Sequence, residues 1–84
     1  MRIGYNTNVQ YQEKDYHVQT EDCGPKDVMI VTLLYQKGAI IFSKKTSYAH
    51  LIGHPAFEEE LKTLMREQHK EVIRELIKGR YRCE

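Results

Sequence analysis

The sequence predicts an α+β domain in which a four-stranded antiparallel sheet of two hairpins is followed by one long C-terminal helix, in the order ββββα. Three observations indicate this fold class. An opening segment alternates apolar and polar residues, a second segment is apolar on both faces of any strand it forms, and a final segment has the period of a helix. We expect a single domain over residues 1–84, with the sheet over about 2–48 and the helix over about 55–79.

The first hairpin follows from strict alternation between Arg2 and Tyr11, which resumes after a polar connection at 12–15. Pairing Tyr11 with Tyr16 defines the expected register and places β-branched and aromatic residues on one face. The opposite face gathers amides with one imidazole and one carboxylate: Asn6, Asn8, Gln10, His17, Gln19 and Glu21. We therefore predict one apolar and one polar face for this hairpin.

The second hairpin is predicted over residues 27–43, with a tight turn at Lys37 and Gly38 and with Leu34 opposite Ile41. A register shifted by one residue is the alternative. In the expected register, one face carries Met29, Val31, Leu33, Tyr35, Ile40 and Phe42, and the other carries Val28, Ile30, Leu34 and Ile41 with Thr32 and Ser43. Because neither face is polar, we expect both faces of this hairpin to be covered.

The final segment predicts a helix. Pro55 suits a first helical turn, the glutamates at 58–60 lie at the positive end of the helix dipole, and Gly79 is a typical stop signal. One stripe comprises Phe57, Leu61, Leu64, Met65, Gln68 and Val72, and a second, rotated stripe comprises Val72, Ile73, Leu76 and Ile77. The rotation predicts that only the first half packs on the sheet. We expect Gln68 and His69, at or near the first stripe, to hydrogen-bond across an interface.

The size of the sheet predicts self-association. Four strands spaced about 4.8 Å apart span roughly 19 Å, whereas a helix with its side chains is about 10–12 Å across. Each apolar side chain left in water forgoes about 1.5–3 kcal/mol, which is large for a small domain. We therefore predict a symmetric homodimer, by sheet stacking or by helix pairing. The expected interface residues are Val28, Ile30, Leu34, Ile41, Ile73 and Ile77.

Composition limits the classes of partner and compartment. Thirteen Lys and Arg residues against twelve Asp and Glu residues give a net charge of +1, so no strong field attracts nucleic acid or anionic lipid. The sequence lacks both a run of roughly 20 apolar residues and the apolar core of a signal peptide, so we expect a cytoplasmic protein without a membrane partner. Cys23 and Cys83 are too few for a disulfide scaffold and are expected to be free thiols.

The polar face of the first hairpin is the candidate ligand-binding surface, because amides can recognise the hydrogen-bonding edge of a small molecule. An ordinary solvated strand face is the alternative. His17 is the candidate general base on this face. Because spacing ties no nucleophile or second base to it, we predict no catalytic residue.

A metal site is not predicted, although histidines and cysteines are suitable ligands. His50 and His54 lie four residues apart, but Gly53 and Pro55 interrupt any helix across them. Neither cysteine has the C-x-x-C partner of a structural zinc site. We expect no metal and no cofactor.

Basic residues near tyrosines form the candidate nucleic-acid surface, namely Lys44, Lys45, Arg80 and Arg82. The alternative is that cations near the helix end complement the helix dipole. Acidic residues open the same helix and the net charge is near zero. We therefore expect nucleic acid not to be the partner.

Four short segments together resemble a family of small bacterial domains of uncharacterised function. They are N-T-N-V at 6–9, H-V-Q-T-E-D at 17–22, T-S-Y-A at 46–49 and E-Q-H-K at 67–70. The resemblance spans nearly the whole chain. It implies a stand-alone bacterial domain and brings no activity, cofactor or catalytic residue with it.

These observations favour a non-enzymatic module for protein interaction or regulation, whose self-association is structural and whose partner is another protein. The alternative is a domain that binds a small ligand or nucleic acid through the polar hairpin face or the basic helix end. An enzyme is the third hypothesis, because no catalytic constellation is recognisable in the sequence.

Overall fold

A computed structural model describes residues 4–24 and 26–79, which form a four-stranded antiparallel sheet with one helix packed on it. The strands pair in chain order as β1 (Gly4–Tyr11), β2 (Lys14–Asp22), β3 (Met29–Gln36) and β4 (Ala39–Ser47). A 3-10 turn, Ala49–Leu51, leads to the helix α1 (Phe57–Ile77). The predicted fold class and element order are confirmed.

The first hairpin has a shorter turn than predicted. Tyr11 pairs with Lys14, and only Gln12 and Glu13 form the connection. Both turn residues have positive φ, 51° and 65°, as in the primed turns whose twist matches that of the strands. The predicted pairing of Tyr11 with Tyr16 is therefore wrong by two residues. Because side chains alternate with a period of two, this shift leaves every side chain on its predicted face.

The second hairpin turns at Lys37 and Gly38 as predicted, but its register changes beyond the turn. Tyr35 pairs with Ile40, whereas Leu34 pairs with Phe42, so Ile41 is an extra residue in β4. The predicted pairing of Leu34 with Ile41 is wrong for this reason. Because a bulge inserts one residue, it moves Phe42 and everything after it to the opposite face.

The helix begins two residues after Pro55 and ends close to the predicted glycine. Residues 58–60 provide three glutamates in the first turn, where negative charge favours the helix dipole. Gly79 has a φ of 80° and donates its backbone N–H to the carbonyl oxygen of Leu76 at 2.9 Å. This left-handed residue satisfies a carbonyl group at the helix end.

Two apolar clusters fill the space between α1 and the sheet. The cluster nearer the hairpin turns contains Tyr16, Val18, Leu34, Val72 and Leu76, and the other contains Ile30, Tyr48, Leu51, Leu61 and Met65. We call the covered side of the sheet the inner face. α1 crosses β1, β2 and β3 on this face, so both clusters belong to the core of a single chain.

Two residues of the predicted interface between copies are buried within the single chain. Ile30 and Leu34 are fully buried beneath α1, so neither is available to a second copy. The sequence could not show this, because the alternate residues of β3 are also apolar and either set could have faced the helix. The other predicted interface residues lie beside the clusters or on the helix, half-buried or exposed: Val28, Ile41, Ile73 and Ile77.

The second half of α1 also packs on its own sheet, contrary to the prediction. Val72 and Leu76 are buried in the first cluster, and Ile73 is half-buried against it. Ile77 is 53% exposed and lies outside the packed stripe. The buried residues of α1 form a straighter stripe along the helix than its apolar residues predicted, because the polar residues Gln68 and His69 are also buried.

Candidate interaction site

A line of polar side chains crosses the inner face between the two apolar clusters. We call it the polar seam, and its members are Thr7, Thr20, Thr32, Thr46, Gln68 and His69. Each strand contributes one threonine, and α1 contributes the amide and the imidazole. The seam therefore joins the helix to all four strands.

The central bonds of the seam are short and buried. The hydroxyl oxygens of Thr20 and Thr32 are 2.7 Å apart. Nδ1 of His69 lies 2.8 Å from the hydroxyl of Thr20, and Nε2 lies 2.8 Å from the hydroxyl of Thr7. Buried polar groups are costly when unpaired, and here both ring nitrogens have partners.

Gln68 continues the seam towards the other edge of the sheet. Its Nε2 donates to the hydroxyl of Thr32 at 2.9 Å and to the backbone carbonyl of Lys44 at 3.1 Å. Its Oε1 accepts a hydrogen bond from Thr46. The buried amide thus uses both its donor and its acceptor groups, as predicted for a polar residue in a packed stripe.

One set of donor directions satisfies both buried hydroxyl groups of the seam. In it, Thr32 accepts from Gln68 and donates to Thr20, and Thr20 donates to Nδ1 of His69. Nε2–H of His69 then donates to Thr7. This direction gives both buried hydroxyl protons an acceptor within the seam, and it requires a neutral imidazole.

Electrostatics agree with a neutral His69. Burial lowers the pKa of its imidazole below the usual value near 6.5, and the electrostatic interaction with His17 lowers it further. The ring of Tyr5 lies beside it, with ring centroids 5.9 Å apart. His69 is therefore a structural histidine with no room for substrate.

Each of the four short segments at 6–9, 17–22, 46–49 and 67–70 supplies at least one member of the seam. Thr7, Thr20 and Thr46 come from the first three segments, and Gln68 and His69 from the fourth. Gln68 and His69 were identified from the sequence as interface residues, but the threonines were missed. The available signal was a threonine among the alternating apolar residues of β1, β2 and β3, whereas Thr46 lies in a polar run.

The opposite side of the sheet, which we call the outer face, carries the predicted polar group. Asn6 pairs with Gln19 and Asn8 with His17 across β1 and β2. Nδ1 of His17 lies 2.8 Å from Oδ1 of Asn8, and Nε2 lies 3.3 Å from Oδ1 of Asn6. Three of the six predicted ligand-binding residues thus form one hydrogen-bonded group.

The other three members share the outer face but not that group. Gln19 donates to the carboxylate of Glu21, and Gln10 pairs with Asp15 near the turn. A shallow depression of about 390 Å³ lies along β1 and β2 and is lined by Asn8, Val9, Gln10, Asp15 and Tyr16. The polar residues therefore border an open surface and do not line an enclosed site.

An apolar row on β3 runs through the middle of the outer face. It consists of Met29, Val31, Leu33 and Tyr35. Val31 is 9% exposed, and its cross-strand neighbours on this face are Glu21 and Lys45. The ring of Tyr35 lies 6.0 Å from that of His17. No helix or strand of the described residues covers this row.

The loop between β2 and β3 is tied to the core by one buried phenol. The hydroxyl of Tyr48 donates to Asp22 at 2.6 Å, and the same carboxylate oxygen accepts the backbone N–H of Gly24 at 2.7 Å. A Cβ atom at Gly24 would lie 1.9 Å from the Tyr48 hydroxyl oxygen, so only glycine fits. Burial, with the bond to Asp22, raises the pKa of Tyr48 to about 12. The phenol is thus a structural donor.

The predicted basic surface is reduced in the structure. Nζ of Lys44 lies 3.0 Å from the carboxylate of Glu71. Lys45 is exposed on the outer face. Arg80 and Arg82 lie outside the described residues. Lys44 is therefore engaged within the chain, and Lys44 and Lys45 lie on opposite faces of β4.

The described part of the chain contains no cluster of side chains that could bind a metal ion. Over residues 4–24 and 26–79, no three His, Cys, Asp or Glu side chains gather closely enough to hold a metal ion. Cys23 is an exposed free thiol, and Cys83 lies outside the described residues.

Comparison with known protein-family models, with curated proteins and with solved structures finds no match. The one long helix of the described residues is too polar to cross a membrane.

Proposed function

We propose that this chain is a non-enzymatic, self-associating module that binds another protein through the outer face of its sheet. The observation that supports this proposal is the apolar row on β3, which lies on a face that no described helix or strand covers. An antiparallel sheet with one solvated face normally places polar residues on that face. β3 instead has apolar residues on both faces, and Met29, Leu33 and Tyr35 of the second set are partly exposed on either side of the buried Val31.

The surroundings of the row favour a protein partner. Glu21 and Lys45 stand on either side of Val31, and amides occupy the outer positions of β1. An apolar centre with a polar rim is the usual anatomy of a protein interface. The polar groups of the inner face are meanwhile used within the seam, which leaves the outer face as the surface for recognition.

Site-specific photocross-linking tests this proposal. A photoreactive phenylalanine analogue replaces Leu33 on the outer face, or Thr63 on the exposed side of α1 as a matched control, in the cells that make the protein. We expect a discrete adduct at position 33 that is absent at position 63. Its mass should exceed that of two 10.0 kDa chains.

The adduct also identifies the class of partner. An adduct containing a second protein supports the proposal if it depends on the apolar row. To test this, the photoreactive group is placed at Tyr35, and Leu33→Lys is added to the same chain. The added lysine should abolish the adduct. An adduct of only two copies of this chain would assign the outer face to self-association. Equal labelling at positions 33 and 63, or none at either, would contradict an outer-face site.

A further inference from the structure

The two edges of the sheet are protected very differently. β4 carries Lys44 and Lys45 and has a bulge at Ile41. β1, at the other edge, has no charged residue and no proline, and it pairs regularly with β2 over its whole length. Sheet edges are normally protected from pairing by lysine, proline or bulges. β4 has such protection and β1 does not.

The free side of β1 presents a regular row of backbone groups. In a hairpin with a two-residue turn, the two residues that flank the turn bond to each other through both their backbone N–H and C=O groups. Along the strands, such hydrogen-bonded pairs alternate with pairs whose backbone groups point away from each other. Tyr11 flanks this turn, so the odd residues of β1 bond to β2. The backbone groups directed away from β2 belong to Gly4, Asn6, Asn8 and Gln10. Among the described residues, no backbone hydrogen bond joins β1 to any element other than β2.

We infer that two copies of this chain join through β1, antiparallel across a two-fold axis, to form one continuous eight-stranded sheet. This inference names the surface of the self-association in the proposed function and rests on that part of it. A second copy fits the edge because a neutral strand of equal length meets no charge repulsion from its twin. Strand addition to an exposed edge is a general mode of protein recognition.

Symmetry selects one register. With Thr7 on the two-fold axis, Asn6 lies opposite the partner's Asn8 and Gly4 opposite the partner's Gln10. This is the symmetric register that gives all four outward-directed residues a partner. The two-fold axis is perpendicular to the sheet, so both helices lie on one side. The two apolar rows then share a single, wider outer face, which a second protein can contact.

Charge placement on the edge tests this register. The double variant Asn6→Lys/Asn8→Lys sets ammonium groups opposite each other in the proposed dimer. The variant Asn6→Lys/Asn8→Glu sets opposite charges there. His17→Lys/Gln19→Lys is the matched control, because it adds the same two charges one strand further in, at the cross-strand partners of Asn8 and Asn6. Leu33→Lys tests the outer face separately. Light scattering from micromolar to millimolar concentration measures mass, and circular dichroism verifies folding.

We expect the parent chain to form a dimer, and the double-lysine edge variant to associate at least about tenfold more weakly. The lysine–glutamate variant and the control should remain within about tenfold of the parent. A monomeric parent would overturn both the inference and the proposed self-association. Loss of the dimer in Leu33→Lys, with the edge variants unaffected, would overturn the inference while leaving self-association in place. Equal weakening of both edge variants would overturn the proposed register.

Discussion

His17 and His69 lie on opposite faces of one sheet and show what burial does to the same side chain. Each ring has both nitrogens within 3.3 Å of a polar side-chain atom on the strands beside it. His69 is buried in the polar seam beneath α1, whereas His17 stands on the uncovered outer face. The inner histidine is part of the core, and the outer one is half-buried on a face that no described helix or strand covers.

The same difference separates the two faces as a whole. Threonines and amides on the inner face are satisfied by one another, and apolar clusters lie on both sides of them. Comparable amides on the outer face border an apolar row with no cover among the described residues. The comparison shows that residue type alone does not identify a site. The covering element decides whether polar side chains stabilise the fold or remain free to bind.

The largest contrast is expected between two adjacent leucines of β3. Leu34 is fully buried, so Leu34→Ala should lower the free energy of unfolding by about 2–5 kcal/mol. Leu33 lies on the outer face, and Leu33→Ala should cost less than about 1.5 kcal/mol. Urea denaturation at low protein concentration measures both. Equal losses would mean that the outer face is covered within the chain.

A smaller contrast is expected between the two histidines. His69→Leu removes the hydrogen bonds of the imidazole to Thr7 and Thr20 and should cost about 1–3 kcal/mol. His17→Leu changes an outer-face side chain and should stay within about 0.5 kcal/mol of the parent. Denaturant midpoints compare the two variants at constant pH. If His17→Leu were the more damaging change, the division between structural and available histidines would be incorrect.

The smallest effect expected is a pH dependence arising from His69. The pKa of its imidazole is lowered in the folded chain, so the unfolded chain binds more protons as the pH falls. The contribution of His69 to the free energy of unfolding is therefore complete above its pKa in the unfolded chain, about 6.5. It is lost progressively as the pH falls from there towards the lower pKa of His69 in the folded chain.

Comparing variants isolates that contribution. The free energy of unfolding of the parent should fall more steeply below neutral pH than that of His69→Leu. His17→Leu should keep most of the slope of the parent, because His17 makes the smaller contribution to the pKa of His69. Identical slopes in the parent and in His69→Leu would refute a neutral, buried imidazole.

Much of the fold followed from periodicity. The alternation in residues 2–11 predicted the faces of the first hairpin, and those faces survive a register error of two residues because the side-chain period is two. Gly38 and Gly79 marked the second turn and the helix end correctly. Gln68 and His69 were predicted to hydrogen-bond across an interface, and they bond across the contact between helix and sheet.

The remaining features depend on contacts that no local pattern encodes. The bulge at Ile41 cannot be recognised, because Ile40, Ile41 and Phe42 are all apolar and any of them could be the extra residue. The covered face of β3 was misassigned, with Ile30 in the predicted interface, because its two faces are equally apolar. The difference between the edges emerged only once the strand order placed β1 and β4 on the outside.

Amide hydrogen exchange at β1 tests the central claim most directly, which is that this chain self-associates through its unprotected edge. The amides of Asn6, Asn8 and Gln10 point away from β2, so they exchange rapidly in an isolated chain and slowly in the proposed dimer. We predict protection at these three amides at high protein concentration, and its loss on dilution or in Asn6→Lys/Asn8→Lys. Rapid exchange at all three amides in a sample that light scattering shows to be dimeric would contradict the account.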